Sequence, residues 1–107
     1  MISHVIRTRI SKNGVIYYIA IPKDLDLDLG ETVIVKIAKE GVVLGVFVRR
    51  VAKLGNRKIV TLPHRFNKIW RILHGQIVEA TIEKTETTNI EEIVKKIVLS
   101  LRQGFST

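Results

Sequence analysis

The chain has 107 residues with a formal net charge of +8, and 46% of its residues are hydrophobic, which predicts one domain with a packed core. It contains no cysteine, and this excludes disulfides, zinc–thiolate sites and cysteine nucleophiles. Because no signal-peptide pattern and no apolar run of about 18 residues is visible, we expect a cytoplasmic protein that does not enter the membrane.

Isoleucine and valine are abundant, and most of the chain predicts β-strands. Alternating or apolar runs bounded by turn residues predict six strands, over residues 5–11, 15–21, 32–38, 42–53, 57–62 and 76–82. The first hairpin is expected to turn at Asn13-Gly14, with both residues in left-handed conformations. A helix is predicted over residues 65–73, with an apolar face formed by Phe66, Ile69, Trp70 and Leu73. We expect Trp70 to pack in the core.

The last part of the chain predicts a separate amphipathic helix. Thr85–Thr88 is a polar hinge, Asn89 is a good N-cap, and Gly104 can end the helix. One apolar stripe is formed by Ile90, Ile93, Val94, Ile97, Val98 and Leu101. We expect this stripe to pair with a second copy and give a homo-oligomer, such as a homodimer. The alternatives are that the remainder of its own chain or a foreign protein covers it.

One stretch of the sequence recurs later in the chain at a constant offset. Three pairs of residues share this offset: Lys12 and Lys53, Gly14 and Gly55, and Pro22 and Pro63. Glycine and proline constrain backbone geometry, so the spacing predicts a repeated turn and a repeated strand end. We therefore expect two tandem copies of one ββαβ unit, over about residues 5–41 and 46–84.

The positive charge is concentrated in the second copy. Residues 1–40 carry a net charge of +1 and residues 79–107 a net charge of −1, whereas residues 41–78 hold eight Lys or Arg and no Asp or Glu. A surface that is merely solvated normally mixes both signs, so this stretch predicts a site for a polyanion. The alternative is a solubilising surface of the kind found in thermophiles.

Both copies share an outline of K-x-G, a strand ending in Ile-Pro or Leu-Pro, a helix, and a glycine before the last strand. The second copy has Lys53-Leu54-Gly55, Val60-Thr61-Leu62-Pro63-His64-Arg65-Phe66 and Gly75-Gln76-Ile77-Val78. The first has Lys12-Asn13-Gly14, Ile19-Ala20-Ile21-Pro22-Lys23-Asp24-Leu25 and Gly30-Glu31-Thr32-Val33. This outline, over about residues 6–83, resembles the SpoVT/AbrB family of swapped-hairpin proteins. The first copy has a shorter helical stretch, and Gln76 lacks the acidic charge that the family places after the glycine and that Glu31 keeps.

The resemblance implies a mainly β fold with short helices, in which the two copies interleave their hairpins into one swapped-hairpin (cradle-loop) barrel. Residues 1–84 would form this barrel, and residues 85–107 the hinge and a C-terminal α-helix. Tandem ββαβ units also occur in double-psi barrels, and the sequence leaves that alternative open. The difference matters because swapped-hairpin relatives usually bind DNA, whereas double-psi barrels often recognise substrates.

Basic residues flank the two glycine turns, and the resemblance implies that this region approaches DNA. The predicted nucleic-acid-binding residues are Arg7, Arg9, Lys12, Arg49, Arg50, Lys53, Arg57 and Lys58. Guanidinium and ammonium groups on an exposed strand can reach phosphate oxygens. Arg57 and Lys58 stand where the first copy has Ile16 and Tyr17, so we expect the second copy to contribute more to binding.

Together these features predict a DNA-binding transcription regulator or nucleoid-type protein whose partner is double-stranded DNA. The alternative is a protein-interaction module, either an antitoxin-like repressor or a substrate-recognition barrel. No P-loop, nucleophile elbow or acid/base set is visible, so we expect neither enzyme activity nor a cofactor. The histidines lack ligand spacing with carboxylates, so we expect no metal site.

Overall fold

A computed structural model describes residues 3–85, 94, 95 and 97–99 of the chain. The described part is mainly β, as the sequence predicts, with two four-stranded antiparallel sheets and one short α-helix. The strands are β1 (Ser3–Arg9), β2 (Ser11–Asn13), β3 (Ile16–Ala20), β4 (Thr32–Lys39), β5 (Val42–Arg50), β6 (Ala52–Leu54), β7 (Arg57–Thr61) and β8 (Ile77–Lys84). A 3₁₀ turn at His64–Phe66 leads into the helix α1 (Asn67–Leu73).

Each of the two sheets combines strands from both halves of the chain. The first sheet has the order β1-β8-β4-β5, and the second has the order β2-β3-β7-β6. The chain passes from the first sheet to the second at Ile10 and again at Val51, and both side chains are buried. Each sheet keeps two edge strands, so the strands do not form one closed barrel.

The sequence predicts single strands over residues 5–11 and 42–53, and the structure divides each into two. Ile10 N donates to the Gln76 carbonyl (3.2 Å) and Val51 N to the Glu31 carbonyl (2.9 Å), so each residue bonds outside the sheet that it leaves. Hydrophobic alternation continues through such a corner, because the side chains still point inward. Periodicity alone therefore predicts the strand residues but not the change of sheet.

The hairpin turns explain the positions of two glycines. Asn13 pairs with Ile16, so Gly14 and Val15 form the turn, and Gly14 takes a φ of 61°. The prediction that Asn13 is also left-handed is wrong, because Glu40 is the single described non-glycine residue with a positive φ. Glu40 and Gly41, with φ of 51° and 81°, join β4 to β5 as a two-residue turn in which both positions need positive φ.

The core lies between the two sheets and is closed at one side by α1. Trp70 is fully buried, as predicted, and its ring meets Phe47 of β5 and Phe66 edge-on, with centroids 6.5 and 6.3 Å away. The indole Nε1–H donates to the Pro63 carbonyl at 3.0 Å. Buried polar groups need such partners, so this bond fixes the orientation of the ring.

The predicted C-terminal helix lies mostly outside the described residues, which include residues 94, 95 and 97–99 of it as helical. The predicted assembly residues Ile90, Ile93 and Leu101 are not among them. Val94, Val98 and Leu99 are described, and 50%, 40% and 55% of their surfaces are exposed. Within the described part of the chain, no helix combines the length and apolar character needed to cross a membrane.

Candidate nucleic-acid interface

Six of the eight predicted cations lie near two opposite ends of the molecule. Strands β3 and β7 pair antiparallel, with Tyr18 opposite Thr61 and Ala20 opposite Ile59. Their preceding turns, at Gly14 and Gly55, therefore project from opposite ends of the second sheet. One group of cations lies on β1 and β2 and the other on β5, β6 and β7, so the structure does not bring all eight together.

At one end, the first hairpin contacts the helical segment of the second half of the chain. Gly75 N donates to the Ile10 carbonyl at 2.8 Å, and the Arg9 guanidinium donates to the Gly75 carbonyl at 2.7 Å. The rings of Tyr17 and His74 meet edge-on at 6.0 Å, and the Lys12 ammonium lies 5.5 Å from the centre of the Tyr17 ring. Residues 9–18 and 63–76 therefore share one surface, which we name the basic end.

The basic end carries cations and no carboxylate. Its two segments contain five basic residues, and no Asp or Glu occurs in either: Arg9, Lys12, Arg65, Lys68 and Arg71. All five side chains are exposed. Lys68 and Arg71 lie three residues apart on α1 and are exposed, unlike the buried Trp70, and Arg65 is exposed in the 3₁₀ turn that precedes the helix. The net charge of the two segments is +5, apart from the histidines.

At the other end, the second hairpin contacts an acidic segment from the first half of the chain. Gly30 N donates to the Val51 carbonyl at 2.8 Å, and the Lys58 ammonium donates to the Leu27 carbonyl at 2.5 Å. We name this surface, formed by residues 50–59 and 22–31, the mixed end. Its five cations are Arg50, Lys53, Arg57, Lys58 and Lys23, and its four carboxylates are Asp24, Asp26, Asp28 and Glu31. The net charge is therefore +1.

Arg7 and Arg49 lie away from both hairpin tips. Arg7 is exposed on β1, directly opposite Glu79 of β8, so a carboxylate is close to its charge. Arg49 is half-buried on β5, opposite the core residue Val33, and its Nε is buried without a hydrogen-bond partner in the described part of the chain. Arg49 therefore points between the sheets, unlike its neighbour Arg50, which is exposed.

Ion pairs do not neutralise these cations within residues 3–85. In that range, the ion pairs are made by Lys84, to Asp26 at 3.7 Å and to Glu31 at 3.5 Å. Neither partner belongs to the basic end. None of the five cations of the basic end is therefore neutralised by an ion pair within this range, and all five side chains are exposed to an external anion.

Sequence reasoning selected the strand cations and passed over Arg65, Lys68 and Arg71. The signal was present, because the helical periodicity that buries Trp70 also places these three side chains toward solvent. What the sequence could not indicate was that His74 and Gly75, which directly follow this helix, contact the hairpin of the other half.

The described residues include no group of three His, Asp or Glu side chains placed to hold a metal ion.

The chain matches no protein-family model, no curated protein and no solved structure.

Proposed function

We propose that this protein binds duplex DNA through the basic end, as a transcription regulator or nucleoid-type protein. The observation that carries the proposal is the set of five exposed cations on two adjoining segments that contain no carboxylate. A surface of this kind concentrates positive potential, which attracts the phosphate backbone at long range.

The basic end offers two kinds of contact to a duplex. Lys68 and Arg71 project from α1, Arg65 projects from the 3₁₀ turn before it, and Lys12 lies beside the two-residue turn of the first hairpin. Arg and Lys on such elements contact phosphate oxygens and fix the orientation of the duplex, whereas base contacts supply sequence selectivity. The distribution of charge along the chain favoured the second copy as the main DNA-binding part. Because an acidic segment lies beside the second hairpin, we propose the first hairpin and α1 instead.

The proposed architecture is a single-chain pair of swapped hairpins with approximate two-fold symmetry. Hydrogen bonds at corresponding positions support it: Gly75 N to the Ile10 carbonyl matches Gly30 N to the Val51 carbonyl, both at 2.8 Å. Leu62 N to the Tyr17 carbonyl (2.8 Å) likewise matches Ile21 N to the Lys58 carbonyl (2.9 Å). Both sheet orders also stay the same when strands β1 to β4 are replaced by β5 to β8, respectively, and the reverse.

The second candidate function is a protein-interaction module that acts through the C-terminal helix. The exposed surfaces of Val94, Val98 and Leu99 favour an apolar contact there. We propose a second copy of the chain as the partner, which would place two basic ends in one particle and is compatible with DNA binding.

The proposed DNA binding predicts a strong dependence on salt. If the five cations of the basic end each neutralise one phosphate, the slope of log K against log salt concentration should be about −4 to −5. Fluorescence anisotropy with a labelled duplex, measured between low and physiological ionic strength, gives this slope. No binding at low salt, or an affinity that does not change with salt, would rule the proposal out.

A further inference from the structure

The mixed end contains a pocket that the proposed DNA contact does not use. Its volume is about 560 Å³, and it lies between the end of β3 and the start of β7. The wall is formed by Ala20, Ile21, Pro22, Lys23, Asn56, Arg57 and Lys58. Three cations and one amide therefore surround a small apolar floor, and no carboxylate lines the pocket.

Within residues 3–85, none of the acids of the mixed end forms an ion pair with a cation of this pocket. Asp26 pairs with Lys84, and Glu31 pairs with Lys84 and accepts a hydrogen bond from the Asp28 backbone N–H at 2.7 Å. Lys58 is half-buried and is held by its bond to the Leu27 carbonyl. An ammonium group has three donors, so Lys58 can be positioned by that carbonyl and still donate to a ligand.

The other half of the chain shows that the fold does not require cations here. In the first copy, the positions that correspond to Asn56, Arg57 and Lys58 hold Val15, Ile16 and Tyr17, which build the same hairpin without charge. Moreover, Lys53 lies directly opposite Lys58, and like charges in opposite positions destabilise a sheet. The hairpin does not need these cations, and Lys58 is repelled by the like charge of Lys53. Binding of an anion in the pocket explains why the cations are there.

We propose that this pocket binds a small organic anion with at least two negative charges, such as a phosphate ester or a polycarboxylate. Lys23 and Arg57 would contact the anionic groups, Lys58 would position one of them, and the apolar floor would receive the carbon skeleton. Arg57 and Lys58 would then recognise a small ligand and not the DNA backbone.

The test is calorimetric titration of the full chain with inorganic pyrophosphate and, separately, with citrate. We expect binding of at least one, and a stronger response to pyrophosphate or to citrate identifies the phosphate or the carboxylate class. At a ligand concentration of about 100 Kd, the melting temperature should rise by roughly 10 °C.

Matched variants show whether this pocket is where the anion binds. Lys23→Ala and Arg57→Ala should each weaken anion binding by about tenfold or more, because each removes a charge-assisted hydrogen bond. Lys68→Ala, at the basic end, should leave anion binding unchanged and weaken DNA binding instead. The proposal is overturned if neither anion binds, if Lys68→Ala weakens anion binding equally, or if Arg57→Ala weakens DNA binding as much as anion binding. A failure of DNA binding alone leaves these results intact, so the two proposals can fail separately.

Discussion

Trp70 is the buried residue of α1, and it packs this helix against the first sheet. It is fully buried, it meets Phe47 of β5 and Phe66 edge-on, and its indole N–H donates to the Pro63 carbonyl. A large ring with a satisfied polar atom contributes both buried area and orientation. The position of α1, and with it the positions of Lys68 and Arg71, depends on this residue.

Truncating Trp70 should therefore be costly. We expect Trp70→Ala to lower the free energy of unfolding by about 3–5 kcal/mol, because it leaves a large cavity. Trp70→Phe should lose about 1–3 kcal/mol, since an aromatic ring remains but the Pro63 carbonyl loses its donor. Urea denaturation followed by circular dichroism measures both values. A loss below about 1 kcal/mol for Trp70→Ala would contradict the packing described above.

The residue scale also shows what periodicity can predict. Helical spacing in the sequence selects Phe66, Ile69, Trp70 and Leu73 as the inner face of a helix, and these residues belong to or pack against the core. The same spacing does not show which neighbour they meet. The contact between Trp70 and Phe47 joins positions that are distant in the sequence, and only the folded chain brings them together.

At the scale of elements, the two hairpins provide a matched pair. Hairpins β2–β3 and β6–β7 have strands of equal length, and each turns at a glycine with a φ of 61°. Lys12 and Lys53 occupy corresponding positions on them, and both are exposed. They differ in their surroundings: the basic end around Lys12 and the mixed end around Lys53.

Charge reversal at these two positions should have unequal effects. We expect Lys12→Glu to weaken duplex binding by about tenfold or more and to reduce the salt slope by about 1, because it removes one phosphate contact and adds a repulsive charge. Lys53→Glu should change the affinity by less than about threefold, because the mixed end is set apart from the proposed contact. Equal losses would show that both ends bind DNA, and a greater loss for Lys53→Glu would favour the second hairpin as the sequence suggested.

At the scale of the whole molecule, the described residues of the C-terminal helix, 94, 95 and 97–99, are not part of the buried core. The buried core cluster extends from Ile10 to Ile82, and β8 ends at Lys84. Val94, Val98 and Leu99 keep about half of their surfaces exposed. The sheets therefore have a core of their own, and an apolar surface is available for assembly.

Removal of residues 89–107 should leave the sheets folded and change the assembly. We expect light scattering to show a mass per particle reduced to that of one truncated chain, while thermal melting stays cooperative. The double variant Val94→Lys, Val98→Lys should likewise dissociate the assembly of full-length chains into single chains. A truncated chain that unfolds would show that the helix supports the sheets, and a full chain that is already monomeric would contradict self-association.

Several features follow from the amino-acid sequence alone. The alternation of apolar residues determined that the chain is mainly β, and the glycines and prolines that recur at a constant offset determined two similar hairpins. These are local properties, because backbone geometry at a glycine turn or a strand depends on neighbouring residues. The number of cations and the absence of acids from residues 41–78 were equally visible.

Only the tertiary structure decided which charges are neighbours. Each sheet combines strands from both halves of the chain, and backbone hydrogen bonds join Ile10 to Gly75 and Val51 to Gly30, so each hairpin lies against the opposite half of the chain. The basic second hairpin thereby lies beside residues 22–31, which carry four carboxylates, whereas the first hairpin lies beside residues 63–76, which carry three cations and no carboxylate. Electrostatic energy depends on distance in space and not on separation along the chain, and a Debye length of about 8–10 Å limits it to such neighbours. The proposed interface therefore depends on how the strands of the two halves pair. Local residue patterns do not encode this pairing.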